Sequence, residues 1–192
     1  NWRLAAPEVA YILNDSGAKI LFVGEEFFDL ADKILALSTT VETVICLSGS
    51  KDGWGTYQSW RDNQNDEVCK RQPSLDDVAI QMYTSGTTGN PKGVMLSNWN
   101  TLSNILCVQS TFTIYVGDKN AAFLPWAHSF GSTFDLHWMI RSGVHINLIS
   151  DLTRIADECQ EIKPAVLIAV PRVWSKFYDR VNSQFESATG LK

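Results

Sequence analysis

Eleven contiguous residues, Tyr83-Thr84-Ser85-Gly86-Thr87-Thr88-Gly89-Asn90-Pro91-Lys92-Gly93, concentrate groups suited to one kind of chemistry. The glycines let a backbone approach a ligand closely and take up positive φ. Thr84, Ser85, Thr87 and Thr88, with the N–H groups around them, can bond phosphate oxygens, and Lys92 adds a mobile point charge. Such equipment fits a loop that holds a polyphosphate. A solvated turn with no ligand would explain a bare G-x-x-G, but not eleven residues of this composition directly after a buried strand. A Walker A loop is disfavoured. Counting G-x-x-x-x-G-K-[ST] from Gly86 places Lys92 correctly, but Pro91 replaces the second glycine and Gly93 the Ser/Thr.

The elements that must hold this loop are legible on both sides. Val78–Tyr83 is a short, mostly apolar run, the pattern of a buried strand. After Val94-Met95-Leu96, Ser97 stands where an N-cap belongs, ahead of a helix over Asn98–Gln109. Nearer the start, a helix over Pro7–Asn14 has proline in its first turn, an apolar stripe of Val9, Ile12 and Leu13, and Gly17 as its stop. Strand Lys19–Val23, helix Glu25–Leu37 and strand Val41–Leu47 follow. This β-α-β alternation predicts a parallel sheet covered by helices.

Residues 48–74 are polar, with Trp54, Tyr57 and Trp60 as their large apolar groups, and read as a long loop with room for one short helical turn. Beyond the glycine-rich loop the pattern predicts strand Asn120–Leu124, helix Gly131–Arg141, strand Val144–Ile149, helix Thr153–Ile162 and strand Ala165–Val170. A final helix is expected over Arg172–Ser187, with Trp174, Phe177, Val181 and Phe185 on one face destined for the core. The fold class predicted is α/β, a mostly parallel sheet flanked by helices.

The 192 residues are 45% hydrophobic and 19% charged, with a formal net charge of −5, ordinary for a soluble globular protein with a substantial core. No basic stripe exists to neutralise a phosphate backbone, so nucleic acid is not an expected partner. No apolar run approaches the length of a membrane span. Cys46, Cys69, Cys107 and Cys159 form no C-x-x-C and read as free thiols of a cytoplasmic protein, three of them buried and inert. His128, His137 and His145 show no ligand spacing. No protein-held metal is expected, and magnesium would arrive with a nucleotide. The chain opens Asn1-Trp2-Arg3 without methionine or a signal-peptide pattern, which predicts a piece of something longer. A truncated core would expose apolar surface, so self-association is expected.

Tyr83–Ser97, YTSGTTGNPKGVMLS, resembles the phosphate-loop signature of the acyl-adenylate-forming (AMP-binding) superfamily of acyl-CoA synthetases, peptide-synthetase adenylation domains and luciferases. Further stretches carry the resemblance along the whole chain, towards long-chain fatty-acyl-CoA synthetases. They are Asn1–Leu4 with Tyr11–Lys19, then Leu124-Pro125-Trp126-Ala127-His128-Ser129-Phe130-Gly131 in the form L-P-x-x-H-x-x-G, and Val170-Pro171-Arg172-Val173-Trp174. Taken alone, His128 is explained equally well by a hydrogen-bonded core position; the resemblance places it beside the reacting carboxylate, lining the acyl pocket. Some long-chain relatives carry an acidic residue where this chain has Gly131, which leaves acyl-chain length open.

The resemblance implies a reaction in two halves. A fatty carboxylate attacks the α-phosphorus of ATP to give an acyl-adenylate and pyrophosphate, and coenzyme A thiolate then displaces AMP. Thr84, Ser85, Gly86, Thr87, Thr88, Gly89 and Lys92 would hold the β and γ phosphates together with Mg2+. Lys92 and His128 are the expected catalytic groups. Fatty acid, ATP and coenzyme A are the expected partners, and peripheral membrane association stays open. His137 and His145 match no functional position, Trp126 and Phe130 are explained as well by packing as by an acyl tunnel, and Arg172 is expected in a surface ion pair. The family's adenine and ribose motifs, magnesium-binding glutamate, hinge and catalytic lysine follow a segment like Val170–Trp174. Residues 1–192 are therefore expected to be a partial N-terminal AMP-binding domain without the C-terminal small domain, inactive alone. Two other readings stay open: a different carboxylate-adenylating enzyme, and a non-catalytic nucleotide-binding, acyl-binding or structural module.

Overall fold

A computed structural model describes residues 3–84 and 89–187, and the chain divides into two compact units, with the division between Ser97 and Asn98. The first unit begins with α1 (Ala6–Ser16), which carries Pro7 in its first turn. The Glu8 carboxylate reaches back to accept the Ala5 N–H at 2.8 Å, satisfying a donor the helix cannot. Gly17 ends the helix by turning left-handed at φ 66°, and the Ala18 N–H then reaches Leu13 O at 3.0 Å. Glycine takes that conformation without a Cβ penalty. Asn14 ties this end of α1 to the next connection: its Oδ1 accepts the Thr39 N–H at 2.8 Å and its Nδ2 donates to Leu37 O at 3.2 Å.

Three parallel strands follow, β1 (Ile20–Val23), β2 (Thr43–Cys46) and β3 (Gly55–Thr56), adjacent in that order. The helix expected between the first two divides into a 3-10 turn (Glu25–Phe27) and α2 (Phe28–Leu35), which buries Ala31 and Ile34. Ala10, Val23, Ile45 and Cys46 complete this small core.

Residues 48–74 hold more structure than their polarity suggests. They contain β3 and α3 (Tyr57–Asp62), capped where Thr56 Oγ1 accepts the Ser59 N–H at 3.3 Å. Aromatic residues draw this stretch onto the sheet. Trp60 meets Phe22 edge-on with ring centres 5.4 Å apart, and Trp54 meets Phe28 at 5.3 Å. Lys51 lies 4.3 Å above the Trp54 ring while pairing with Asp32. The stretch without regular structure narrows to 65–74, all exposed. The unit closes with an antiparallel hairpin, β4 (Val78–Thr84) and β5 (Lys92–Ser97). No strand was expected after the glycine-rich loop, because three consecutive apolar residues are too few to reveal a period.

The second unit opens with α4 (Asn98–Gln109) and continues through β6 (Lys119–Ala122), a π-helix (Gly131–Trp138), α5 (Met139–Ser142), β7 (His145–Leu148), α6 (Ile155–Ile162) and α7 (Pro171–Ser187). β6 and β7 pair in parallel from Lys119↔His145 to Ala122↔Leu148. Ile105, Trp138, Met139 and Val144 form the core, with Val108, Phe134 and Ile146 packed against it. Helices around largely parallel pairings give the α/β class; among the described residues only the β4–β5 hairpin runs antiparallel.

Four local expectations change. The helix over Gly131–Arg141 forms with π rather than α winding up to Trp138. The strand over Ala165–Val170 reduces to a single parallel bridge, Asn120↔Val166. The apolar stripe of α7 is not core: Trp174 is 48% exposed, Val181 47% and Phe185 68%. Periodicity identifies a face to be covered, not what covers it. Of the four thiols only Cys46 is buried; Cys69 and Cys107 are exposed and Cys159 is half-buried.

Candidate functional site

The last paired residues of the β4–β5 hairpin are Thr84 and Lys92. Successive strand residues point to opposite faces, and partners across an antiparallel pair share a face. Thr84 and Lys92 therefore stand together at the mouth of the loop. Lys92 is exposed and meets no carboxylate among the described residues, which leaves its ammonium open to an anion. Gly89 lies at φ 101°, with open space where a Cβ would be; L side chains avoid that conformation, so glycine is required there for its backbone. Ser85, Gly86, Thr87 and Thr88, the remaining expected phosphate contacts, lie outside the described residues.

The opposite face of the same hairpin carries Gln81, Tyr83 and Gly93. The Tyr83 hydroxyl donates to Asp15 Oδ2 at 2.6 Å and accepts from Gln81 Nε2 at 3.1 Å. Loss of solvation, with the Asp15 carboxylate alongside, pushes the tyrosine hydroxyl up to about 12. Gly93 makes room for this arrangement: a Cβ there would lie 2.3 Å from Gln81 Nε2 and 3.0 Å from Tyr83 Cζ. Sequence reading missed these contacts. The one local signal is a glutamine and a tyrosine two residues apart on a strand that otherwise reads as apolar.

His128 belongs to the second unit. It lies beyond the end of β6, in a turn closed by its own N–H on Pro125 O at 3.0 Å, and its carbonyl accepts the Ser132 N–H at 2.8 Å. Its ring is exposed and makes no hydrogen bond among the described residues. Gly131 is buried against the preceding turn, where a Cβ would stand 2.5 Å from Pro125 O and 3.1 Å from Leu124 Cβ. The Leu-Pro and Gly of L-P-x-x-H-x-x-G are thus one steric unit, and His128 is among the exposed side chains of the turn it encloses. The π winding follows directly, an irregularity that often accompanies functional segments.

Asp135, inside that π-helix, is fully buried. Its Oδ1 accepts Asn120 Nδ2 at 2.9 Å and its Oδ2 accepts the Leu124 N–H at 3.3 Å. It thereby joins β6 to the segment leading into His128. Burial pushes its carboxyl up to about 6, against the lowering effect of the Leu124 and Phe123 N–H groups and the Asn120 amide. Sequence reading passed over this residue too. Its signal is a lone acid between Phe134 and Leu136, just ahead of Trp138-Met139-Ile140.

The other candidates fall outside any such arrangement. His137 Nδ1 lies 2.6 Å from Ser132 O, a structural contact, and His145 is exposed on β7. Trp126 is half-buried, and Phe130 packs edge-on against Phe134 with ring centres 5.2 Å apart. Arg172 is exposed and forms no ion pair among the described residues, contrary to expectation. Among those residues no three His, Cys, Asp or Glu side chains cluster as a cation site.

Residues 1–191 match the family described as AMP-binding enzyme. The chain is 28% identical over 196 residues to fatty acyl-CoA synthetase A of Dictyostelium discoideum, an alignment covering 93% of this chain and 28% of that protein. The inhibitor-bound N-terminal domain of FACL13 from Mycobacterium tuberculosis superposes with a TM-score of 0.73 at 30% identity, over 90% of this chain and 43% of that one. FadD1, a long-chain-fatty-acid-CoA ligase from Archaeoglobus fulgidus, superposes with a TM-score of 0.79 at 26% identity, over 95% of this chain and 36% of that one. The chain spans less than half the length of each of these relatives.

Proposed function

This chain belongs to the AMP-binding enzyme family, and from that premise we propose that it carries the ATP phosphate-binding loop and part of the acyl pocket of an AMP-forming long-chain fatty-acid–CoA ligase. A fatty carboxylate attacks the α-phosphorus of ATP, and pyrophosphate leaves with the electrons of the broken P–O bond. The thiolate of coenzyme A then attacks the acyl carbon and AMP departs. The obstacle in the first half is electrostatic, since an anion must approach a tetra-anionic nucleotide. Lys92 supplies a cation where charge develops on the leaving pyrophosphate, and Thr84 supplies a hydroxyl on the same face. Ser85, Gly86, Thr87, Thr88 and Gly89 add hydroxyl and N–H donors around the phosphates. His128 stands beside the reacting carboxylate. Magnesium would enter with the nucleotide and neutralise phosphate charge there, and no step is assigned to a metal held by these side chains.

The observation that carries this reading is the pairing of Thr84 with Lys92 at the mouth of the loop. The likeness to a fatty acyl-CoA synthetase and a long-chain-fatty-acid-CoA ligase supports the acyl substrate class. We place residues 1–192 within the family's N-terminal AMP-binding domain and expect them to be inactive by themselves. No described helix is long and apolar enough to cross a membrane.

Calorimetric titration with Mg-ATP tests the loop. Lys92→Ala removes a charge-assisted contact worth about 1.5–3 kcal/mol and should weaken ATP binding about ten- to hundredfold. No heat at millimolar ATP would leave only an α/β scaffold. Fatty-acid-dependent pyrophosphate release from the 192 residues above a Lys92→Ala control would refute their inactivity.

A further inference from the structure

We propose that Asp15 is a positioning residue for the nucleotide loop, acting through Tyr83 to hold the β4–β5 stem against α1. The proposal rests on reading residues 84–92 as the grip on the phosphates of ATP. Its geometry lies wholly within the first unit.

The stem needs an external hold. β4 and β5 form a two-stranded ribbon that pairs with no other strand among the described residues, and an isolated two-stranded hairpin is marginally stable in water. Its position must therefore come from side chains. The 2.6 Å bond from the Tyr83 hydroxyl to Asp15 joins it to a fixed point. α1 stops at Gly17, and Asn14, the neighbour of Asp15, is bonded to Leu37 and Thr39 ahead of β2. The Tyr83 hydroxyl, pushed up to about 12, stays a protonated donor at any working pH.

Two features mark this contact as more than incidental. Asp15 occupies the last turn of α1, where the helix dipole disfavours a negative side chain. It is locally the wrong residue, consistent with a tertiary task. Tyr83 also pairs with Gly93 immediately beside the Thr84–Lys92 pair, on the opposite face. The brace can therefore hold the stem without occupying the face assigned to the nucleotide. Any shift of residues 83 and 93 carries Thr84 and Lys92 with it.

The test is ATP–pyrophosphate exchange with a fatty acid, using the full chain as expressed from its own gene. Asp15→Ala and Tyr83→Phe should each raise the KM for ATP about fivefold and leave the KM for fatty acid unchanged. The double variant should be no worse than Tyr83→Phe alone, because that change already breaks the contact to Asp15. Asp15→Asn should restore most of the loss, since an amide oxygen still accepts the tyrosine proton. Asp15→Ala gives up a charged hydrogen bond and regains only the weaker dipole relief, so Tm should fall slightly, and the selective rise in the KM for ATP is the readout that a merely structural role would not give. If Lys92→Ala raises the KM for ATP while Asp15→Ala and Tyr83→Phe do not, the brace is refuted and the nucleotide reading stands. If Lys92→Ala leaves that KM unchanged, the nucleotide reading falls and the proposal with it. A parallel rise in both KM values with a fall in Tm would reduce the contact to general stability and overturn the positioning role.

Discussion

Asp135→Asn should change the pH dependence of folding in a direction opposite to ordinary acid denaturation. Burial raises the Asp135 carboxyl from 3.8 to about 6. The folded state therefore binds this proton more tightly than the unfolded state does. Below pH 3.8 both states hold it, and the stability it contributes is fully present. As pH rises towards and past about 6 the folded protein must carry a buried carboxylate, and that contribution is lost. Between those two values each step of one in pH costs about 1.4 kcal/mol, about 3 kcal/mol in all. Asparagine carries no charge to bury, and its amide oxygen can still accept the Leu124 N–H. The stability of Asp135→Asn relative to wild type should thus climb by about 3 kcal/mol between about pH 4 and 7.5.

Urea unfolding at a series of pH values measures this difference, with other titrating groups cancelling between the two proteins. Trp138 lies in the same core and offers a fluorescence signal. A carbon-13 titration of the carboxyl group gives an independent reading, with a midpoint near 6 expected instead of the roughly 4 of an exposed aspartate. A flat difference in stability, or a midpoint near 4, would refute the reasoning. At neutral pH the ionised form is also the stronger acceptor for the Leu124 and Phe123 N–H groups, so the segment entering His128 should be held more firmly than at pH 5.

Gly131→Ala should destabilise the second unit by about 1–3 kcal/mol, despite the gain of about 1 kcal/mol that alanine brings to a helix interior. The added Cβ meets a backbone oxygen that cannot rotate away, and an unchanged Tm would contradict that close approach. Trp174→Ser combined with Phe185→Ser should weaken self-association of the 192 residues about tenfold or more in sedimentation, since both side chains are exposed on α7. Unaltered sedimentation would exclude this helix face as the contact.

How far the fold could be read from the chain varies with how local each cause is. Gly17 stops α1 as expected, and α4 runs over the expected Asn98–Gln109. Both follow from neighbouring residues alone. β5 depends on pairing with β4 across the loop, which Val94-Met95-Leu96 cannot announce. The close seating of Gly131 depends on its approach to Pro125, six residues back. The candidate site divides in the same way. Lys92 and Thr84 declare themselves by type and spacing, whereas His128 stands out only through resemblance to a family. Asp15 and Tyr83 are 68 positions apart, and the burial of Asp135 is a property of its neighbours rather than of its own segment. The stripe on α7 signals a surface needing cover while naming no partner.

The thiol distribution makes a measuring device of the native chain. Cys69 lies open in the first unit and Cys107 in the second, while Cys46 is buried and loss of solvation holds the Cys159 thiol above its usual value. Because maleimides couple to the accessible thiolate, labelling near neutral pH favours one position in each half with no cysteine introduced. A donor–acceptor dye pair at these two native sites would report changes in separation as nucleotide and acyl substrate are added.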